Sequence, residues 1–395
     1  MIVIAVSSGT SVDAIDVAAA RFRMIDVLRL EPLAHEEVPW PSAIRQRILA
    51  AGAGATTTVD EIAQLHTLSG QAFARAADAM AMRLGTRPDL VVSHGQTMYH
   101  WVTDLAAHGS FQIGEPAWIA ELLGVPVVSN LRSRDIAAGG HGAPLASTLD
   151  ALWLAEVASS TKVQRVAALN LGGIANATIH APGELTSYDL GPGNCLIDEA
   201  ATLATGGRER CDVDGALARQ GVIDEDLLES LLADPYFTSP APKSTGREYF
   251  TLRWVHRHRD QALPPVAGKD LVATMTELTA RSVAAQLQGV ELLVTSGGGV
   301  RNPTLMEALA RHLPGCRVTT SAEFGLDPAA KEAYLFALLG YLTATGQAGT
   351  VRTSPGGRTT TGASGPRILG DITPGAGPLV LPPGAAEPPR RLRIG

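Results

Sequence analysis

A strand–turn–strand pattern occurs twice in this sequence, at residues 2–17 and again at residues 166–179. In each copy an apolar run leads into a tight turn rich in Gly, Ser, Thr or Asn, and a second extended run returns. Such turns bring backbone N–H groups close to an anion because no bulky Cβ intervenes. A third glycine turn follows at residues 296–299. The three turns together predict a nucleotide clamped between two related domains.

The composition fits an ordinary soluble enzyme. The chain has 395 residues, enough for two domains with a core each. Its net charge of −7 argues against a nucleic-acid-binding surface. No signal peptide is predicted, and no apolar stretch approaches the roughly 20 residues that span a bilayer. The three scattered cysteines suit a reducing compartment. We therefore expect a cytoplasmic protein whose partners include neither nucleic acid nor membrane.

Strand and helix signals alternate along the chain, which is typical of α/β proteins. We predict two ribonuclease-H-like lobes around a central cleft. Lobe I comprises residues 1–131 and 346–395, and lobe II comprises residues 132–345. From residue 375 onward, Pro, Gly and Arg predict a loose tail.

The first turn has the residue types of a phosphate loop. Gly9, Thr10 and Ser11 offer backbone amides and two hydroxyls to phosphate oxygens. Asp13 and Asp16 follow, where a carboxylate can hold hydrated Mg²⁺ against those phosphates. The alternative is that Asp13 stabilises the turn and Asp16 is an exposed strand residue.

A short buried strand is predicted at residues 90–92, and polar residues 93–97 follow it. Open α/β sheets usually place ligands just past the carboxyl ends of strands. His94 and Gln96 are therefore candidates for binding, although lone histidines are more often structural.

A carboxylate, Asp189, stands at the end of another predicted strand, before a rigid Gly-Pro-Gly turn. A base on a rigid element is well placed to take a proton from a nucleophile. Asn194 is the better candidate for capping the next helix, which leaves Asp189 free for another role. Asp198, one helical turn further, can face the same cleft or lie in solvent.

Residues 130–145 are dense with polar groups and glycines. Arg132, Arg134 and Asp135 can grip a carboxylate or sugar hydroxyls, with arginine as the bidentate donor. The alternative is a loop held by an internal Arg–Asp pair.

Several longer segments carry a specific resemblance. They are GTSVDAID (9–16), SHGQTMYH (93–100), FQIGEPAWIAELLGVPVVSNLRSRDIAAGGHGAPL (111–145), NLGGIAN (170–176), YDLGPGNCLID (188–198), KSTGREYF (243–250), SGGGVRNPTLMEAL (296–309) and KEAYLFALLGY (331–341). With these segments the chain resembles the anhydro-N-acetylmuramic acid kinase family. The resemblance implies the actin/hexokinase/Hsp70-like (ASKHA) fold, ATP and Mg²⁺ as cofactors, and a 1,6-anhydro sugar as substrate. It implies that water opens the anhydro ring while O6 receives the γ-phosphate, within cell-wall recycling. It also allows a homodimer.

The resemblance implies roles for individual residues. Asp189 matches the base that activates water, and Asp13 supports the metal, in part through water. The nucleotide-binding positions are Gly9, Thr10, Ser11, Asp13, Asp16, Gly172, Gly173, Asn176, Gly297, Gly298 and Asn302. The substrate-binding positions are His94, Gln96, Arg132, Asp135, Gly193, Asn194 and Glu332.

Four positions depart from the family pattern: Val12 and Ala14 stand where Leu and Gly are common, His141 replaces Gln, and Leu190 replaces Thr. Alanine at position 14 would strain a left-handed turn. Two other functions stay open at this point: a kinase of a related 1,6-anhydro sugar such as levoglucosan, and a non-catalytic ATP-binding protein of actin-like build.

Overall fold

The computed structural model describes residues 1–52, 56–103, 106–241, 243–259, 265–383 and 387–395. The chain groups into two compact units. Unit 1 comprises Met1–Glu156 and Ala330–Gly395, and unit 2 comprises Val157–Ala329. Each unit has its own β-sheet and its own apolar core.

The described residues form thirteen strands. They are β1 (Ile2–Ser8), β2 (Ala14–Met24), β3 (Leu28–Pro39), β4 (Leu90–Thr103), β5 (Ala106–Ile113), β6 (Val127–Ser129), β7 (Val166–Leu171), β8 (Ile174–Ala181), β9 (Glu184–Pro192), β10 (Leu292–Ser296), β11 (Arg317–Thr320), β12 (Asp371–Thr373) and β13 (Leu392–Ile394).

Twelve α-helices occur in the described ranges. They are α1 (Ser42–Gly52), α2 (Val59–Leu84), α3 (Ala117–Leu123), α4 (Ser133–Ala137), α5 (Ala146–Thr161), α6 (Cys195–Ala204), α7 (Glu225–Leu232), α8 (Pro235–Thr238), α9 (Leu252–His258), α10 (Gly268–Gln286), α11 (Pro303–His312) and α12 (Lys331–Ala344). None of these described helices is long and apolar enough to cross a lipid bilayer.

Unit 1 is built on a mixed sheet in the order β12-β6-β4-β1-β2-β3-β13, with β5 paired to β4. Strands β1, β2 and β3 form an antiparallel meander, and β4 and β6 continue the sheet parallel to β1. Six of the seven residues of β1 are buried. Helices α2 and α12 both contact β1, which explains why its sequence is apolar on both faces.

Unit 2 has a smaller sheet in the order β11-β10-β7-β8-β9. Strands β7, β8 and β9 form an antiparallel meander, and β10 runs parallel to both β7 and β11. The same order, a three-stranded meander followed by two parallel strands, therefore occurs in both units. This repetition confirms the predicted ribonuclease-H-like architecture, and with it the actin/hexokinase/Hsp70-like class.

Several predicted elements agree closely with the structure. The long helix predicted from apolar spacing is α2, which ends at Gly85 with a left-handed φ of 63°. The helix predicted after Pro116 is α3, and Gly124 ends it as expected, with φ of 68°. Strand β10 has the predicted bounds.

Two predictions about local structure are wrong. The strand predicted at residues 90–92 continues as β4 to Thr103, so residues 93–97 lie inside the strand rather than past its end. The reason is that β5 supplies an antiparallel partner along this extension. The tail is anchored at its end, because β13 pairs with β3 and Arg393 Nε donates to Glu156 Oε1 at 2.7 Å.

The predicted lobe boundaries differ from the two compact units. Residues 132–156 and 330–345 belong to unit 1, whereas the sequence placed them in lobe II. Helix α12 contacts β1, β2 and β4, which explains its place in unit 1. That residues 1–131 and 346–395 act as one functional lobe, and residues 132–345 as the other, stays a prediction.

Candidate active site

The first predicted phosphate loop forms the turn between β1 and β2. The Val12 N–H donates to the Gly9 carbonyl at 3.0 Å and closes the turn. Val12 has a φ of 53°, in the left-handed region that β-branched residues rarely adopt. Ala14 begins β2 in extended backbone, so the left-handed strain falls on Val12 and not on Ala14.

Two side chains hold this turn from outside. Arg45, on α1, donates from Nε to the Val12 carbonyl at 2.7 Å, and its Nη2 lies 3.4 Å from Asp13 Oδ1. Gln96, on β4, donates from Nε2 to the Gly9 carbonyl at 3.2 Å. Because the turn is fixed while Gly9 is exposed, an anion can approach its backbone without rearrangement.

A cavity of about 370 Å³ opens beside the turn within unit 1. Hydroxyls, a glycine and carboxylates share its wall, a combination that suits a phosphate group accompanied by a divalent cation. The lining residues are Ser7, Ser8, Gly9, Ser11, Asp13, Ala14, Asp16, Glu37, Glu332 and Phe336.

The carboxylates of this cavity do not form a closed metal cage. In the ranges that the structure describes, no group of three His, Cys, Asp or Glu side chains is arranged to hold a metal ion. Mg²⁺ is usually bound through one or two carboxylates together with substrate phosphates. The Asp13 side chain is 74% exposed, and Asp16 lies 3.4 Å from His35 Nε2. Asp13 is therefore the carboxylate more accessible to a hydrated cation.

Glu332 lies on the first turn of α12 and lines the same cavity. Burial of the carboxyl group raises its pKa, the positive charge of Arg132 opposes this rise, and the negative charge of Asp16 adds to it. Glu332 therefore links the carboxylates of the cavity electrostatically to Arg132.

His94 and Gln96 both point into buried surroundings of unit 1. His94 is 5% exposed, and its ring stacks on Phe336 at 4.3 Å. Arg132 donates from Nε to His94 Nε2 at 3.1 Å and from Nη1 to the Gly142 carbonyl at 2.7 Å. Burial, and secondly the charge of Arg132, lower the pKa of His94 to about 3. His94 is therefore a neutral acceptor that orients the guanidinium.

Asp135 lies within α4, just before the glycine-rich loop, and is fully buried. Its Oδ2 accepts from the Gly142 N–H at 2.8 Å, and its Oδ1 accepts from Thr361 Oγ1 at 2.7 Å. A Cβ at Gly140 would lie 2.3 Å from Oδ2, so glycine is required there. Within residues 106–241, Asp135 forms no ion pair with Arg132 or Arg134, unlike the alternative considered from the sequence. Its observed role is to hold the loop, and direct contact with a substrate stays a prediction.

The second glycine turn, Gly172-Gly173, joins β7 to β8 in unit 2. The N–H of Gly193 donates to the Gly173 carbonyl at 2.9 Å, and the N–H of Asn194 donates to the Gly172 carbonyl at 2.8 Å. A Cβ at Gly193 would lie 2.3 Å from the Gly172 oxygen. These backbone hydrogen bonds interlock the two turns, and the predicted residues Gly172, Gly173, Gly193 and Asn194 lie together.

Two asparagines of unit 2 make hydrogen bonds that stabilise the fold, and the place of Asn302 on the nucleotide-base side stays a prediction. The Asn194 side chain does not cap α6, because its Nδ2 donates to the Leu171 carbonyl at 2.9 Å instead. Asn302, predicted on the nucleotide-base side, caps α11 by accepting from the Leu305 N–H at 3.0 Å. Gly297 follows β10 with φ of 84°, and Gly298 begins the next 3-10 turn.

Asp189 lies on β9 and pairs in register with Asn176 on β8. Its Oδ2 accepts from Ser244 Oγ at 2.8 Å and from the Thr245 N–H at 3.0 Å. Burial raises the pKa of Asp189, and these two hydrogen bonds oppose the rise. A carboxylate with a raised pKa accepts a proton more readily near neutral pH than an exposed one.

Asp198 is the other carboxyl of this region with a raised pKa. Burial is the largest cause and brings its pKa to about 6, while Arg247 lowers it and Asp212 raises it. Asp198 lies on the first turn of α6. It is therefore the control against which a role for Asp189 has to be tested.

Sequence reasoning missed the partners that fix these residues. Arg45 holds the first turn, and Ser244 and Thr245 hold Asp189. The only available signal for Ser244 and Thr245 was the KSTGREYF segment, which resembled a family motif without an assigned role.

Two ribonuclease-H-like sheets, each with a glycine turn after its first strand, define the actin/hexokinase/Hsp70-like fold class. The family model described as anhydro-N-acetylmuramic acid kinase matches residues 1–375. The chain belongs to the anhydro-N-acetylmuramic acid kinase family, as the resemblance of its motifs indicated.

Relatives match along the whole chain. An anhydro-N-acetylmuramic acid kinase of Streptomyces coelicolor is 48% identical over 399 residues, which cover 100% of this chain and 99% of the relative. One of Rhodococcus erythropolis is 44% identical over 412 residues, with coverage of 100% and 99%. Among solved structures, the ROK hexokinase of Thermus thermophilus matches at 14% identity and a TM-score of 0.30, covering 81% of this chain and 93% of that chain. Because this TM-score is low, the fold class rests on strand order and family.

Proposed function

We propose that this chain is an ATP-dependent kinase that opens the 1,6-anhydro ring of anhydro-N-acetylmuramic acid with water and phosphorylates O6. The product is N-acetylmuramic acid 6-phosphate, an intermediate of cell-wall recycling. The observation that carries the proposal is Asp189, a half-buried carboxylate with a raised pKa that two hydrogen bonds hold at one oxygen. An anhydro ring cannot open hydrolytically without an activated water, and this carboxylate suits that task.

Asp189 takes a proton from water, and the water oxygen forms a bond to C1 of the sugar. The electron pair of the C1–O6 bond moves to O6, which bonds to the γ-phosphorus of ATP. The bond between the γ-phosphorus and the bridging oxygen breaks, and ADP leaves with that electron pair. Ring opening thus supplies the nucleophile for phosphoryl transfer.

The glycine turns are assigned to the nucleotide. Gly9, Thr10 and Ser11 in unit 1, and Gly172, Gly173 and Asn176 in unit 2, are assigned to the phosphates. Gly297, Gly298 and Asn302 are assigned to the base side. Asp13, in part through water, with Asp16 nearby, would hold Mg²⁺, which neutralises charge on the transferring phosphoryl group. The exposure of Asp13 beside the cavity supports this assignment.

The sugar is assigned to two groups of residues. In unit 1 these are Arg132, Glu332, His94 and Gln96. Asp135 holds the glycine-rich loop by accepting from the Gly142 N–H, and Arg132 donates to the Gly142 carbonyl of the same loop. In unit 2 they are Gly193 and Asn194. Because ATP is the co-substrate, the proposal places the protein in the cytoplasm. A homodimer is the assembly that the family resemblance allows.

The test is ATP turnover by the full chain with anhydro-N-acetylmuramic acid beside levoglucosan, with each phosphorylated product identified by mass. The proposal expects turnover with the first sugar and a product heavier than the substrate by one water and one phosphoryl group. Turnover only with levoglucosan would replace the substrate and keep the reaction type. ATP binding without turnover on either sugar would favour a non-catalytic protein and contradict the proposal.

A further inference from the structure

Helix α8 and the residues that follow it bind Asp189 at several atoms. Besides the two hydrogen bonds to Oδ2, Tyr236 Oη donates to the Asp189 carbonyl at 2.8 Å. The Asp189 N–H donates to the Lys243 carbonyl at 3.1 Å. Both main-chain groups and one carboxylate oxygen of Asp189 are therefore bound by a single segment. We call Tyr236, Lys243, Ser244 and Thr245 the brace.

Two residues of the brace, Lys243 and Tyr236, also contact each other. Lys243 Nζ donates to the Tyr236 carbonyl at 2.7 Å and lies 4.6 Å from the centre of the Tyr236 ring. The Tyr236 ring in turn packs edge-on against the fully buried Phe250 at 5.4 Å. Because Tyr236 is fixed from both sides, the hydroxyl that reaches Asp189 has little freedom to turn away.

The two carboxylate oxygens of Asp189 differ in their surroundings. Oδ2 accepts two hydrogen bonds, whereas no residue in the described ranges donates to Oδ1. Hydrogen bonds at one oxygen fix the rotation of the carboxylate and leave the lone pairs of the other oxygen available.

We propose that Ser244 and the Thr245 N–H are positioning groups that fix Asp189 so that Oδ1 receives the proton of the attacking water. This inference rests on the proposed function. In the step itself, one O–H bond of water breaks, its proton bonds to Oδ1, and the water oxygen bonds to C1 as described above. Ser244 and Thr245 exchange no proton in this step. They only hold Oδ2.

Removing the Ser244 hydroxyl has two separable consequences. The first is loss of orientation, for which a cost of about 10- to 100-fold in kcat is expected. The second is electrostatic. The Ser244 hydrogen bond lowers the pKa of Asp189, so its loss raises that pKa further, by about one unit for a hydrogen bond to a charged group. The acidic limb of the pH–rate profile should move upward accordingly, and ATP affinity should not change.

The experiment compares Ser244→Ala, Ser244→Thr and Ser239→Ala in the full chain, with ATP and anhydro-N-acetylmuramic acid between pH 5 and pH 9. Ser239 is the matched control because its hydroxyl donates to the Pro235 carbonyl at 2.9 Å and does not reach Asp189. We expect Ser244→Ala to lower kcat by about 10- to 100-fold at unchanged KM values. We also expect it to shift the acidic limb of the pH–rate profile to higher pH. Ser244→Thr should restore both, and Ser239→Ala should equal the wild type. If Ser244→Ala does not fold, Ser244→Gly carries the same test.

An unchanged kcat and acidic limb in Ser244→Ala would overturn the inference. So would a lower kcat with raised KM values and an unmoved limb, since that result indicates general disorder of the segment. Titration of the Asp189 carboxyl carbon by NMR, assigned with Asp189→Asn, gives the pKa without any substrate. If the wild type does not turn over the sugar, the proposed function fails. If the wild type is active and Ser244→Ala is equally active, the proposed function stands and only the inference fails.

Discussion

Arg132 donates a hydrogen bond from Nε to Nε2 of His94 at 3.1 Å. The other ring nitrogen, Nδ1, lies 3.2 Å from the Gly95 carbonyl and donates to it in the tautomer that this pairing requires. Burial first, and the positive charge of Arg132 second, disfavour the protonated imidazole and lower the pKa of His94 to about 3. His94 therefore stays neutral at physiological pH, and its Nε2 accepts a hydrogen bond that orients the Arg132 guanidinium.

This neutral histidine makes the stability of the protein sensitive to acid. The unfolded chain binds a proton at position 94 below about pH 6.5, whereas the folded chain does so only near pH 3. Stability is therefore lost as the pH falls from 6.5 toward 3, by about 3 kcal/mol between pH 7 and pH 4 from this group alone. Urea unfolding at pH 7, 5.5 and 4 should show a smaller loss in His94→Gln than in the wild type. Parallel pH dependence in the two proteins would contradict the neutral assignment.

Asp189→Asn should retain ATP and sugar binding but lose turnover. The amide is nearly isosteric with the carboxylate, but it cannot accept the proton of the attacking water. General-base catalysis contributes about 10²–10⁴-fold, so kcat should fall by at least that order. Asp198→Asn is the matched control, since Asp198 also has a raised pKa and lies in the same unit. A large loss in Asp198→Asn with activity retained in Asp189→Asn would assign the base to Asp198.

Arg45→Ala should weaken the use of ATP. Arg45 holds the Val12 carbonyl at 2.7 Å, and Val12 carries the left-handed backbone of the first turn. Loss of this hydrogen bond should raise KM for ATP by about 5- to 10-fold, a typical effect of losing one hydrogen bond. Arg47→Ala is the control on the same helix, because Arg47 pairs with Glu61 and does not contact the turn. Equal KM values in the two variants would show that the first turn does not depend on Arg45.

Gly193→Ala should disrupt the interlocked turns of unit 2. The new methyl group would lie 2.3 Å from the Gly172 oxygen, and neither backbone can yield easily. We expect a loss of more than about 3 kcal/mol in unfolding free energy, in the range of severe core substitutions. Gly298→Ala is the control, because the nearest atom to its Cβ is Asn194 Nδ2 at 3.9 Å. Thermal unfolding of both variants checks the prediction, and a similar melting temperature for the two would contradict it.

Local sequence patterns predicted much of the fold because the determinants are local. Apolar spacing marked α2, and glycines marked both the ends of helices and the turns. The extension of β4 was missed because it depends on pairing with β5, and the anchored tail was missed because β13 pairs with β3 across the whole chain length.

The site was predicted less completely for the same physical reason. Asp189 was identified from a predicted strand end and glycine turn, although β9 in fact continues to Pro192. Ser244 reaches Asp189 only through tertiary folding across 55 residues. No periodicity encodes that contact. The sequence also did not identify Val12 as the left-handed residue of the first turn. Which position becomes left-handed depends on how the flanking strands and Arg45 fix the ends of the turn.

The most direct test of the account is whether phosphoryl transfer requires the anhydro ring. ATP consumption is measured with anhydro-N-acetylmuramic acid and, in parallel, with open-ring N-acetylmuramic acid at equal concentrations. The account predicts ADP release and N-acetylmuramic acid 6-phosphate only from the anhydro sugar, because O6 becomes the nucleophile as the C1–O6 bond breaks. Equal phosphorylation of the open-ring sugar would contradict the coupling of ring opening to transfer.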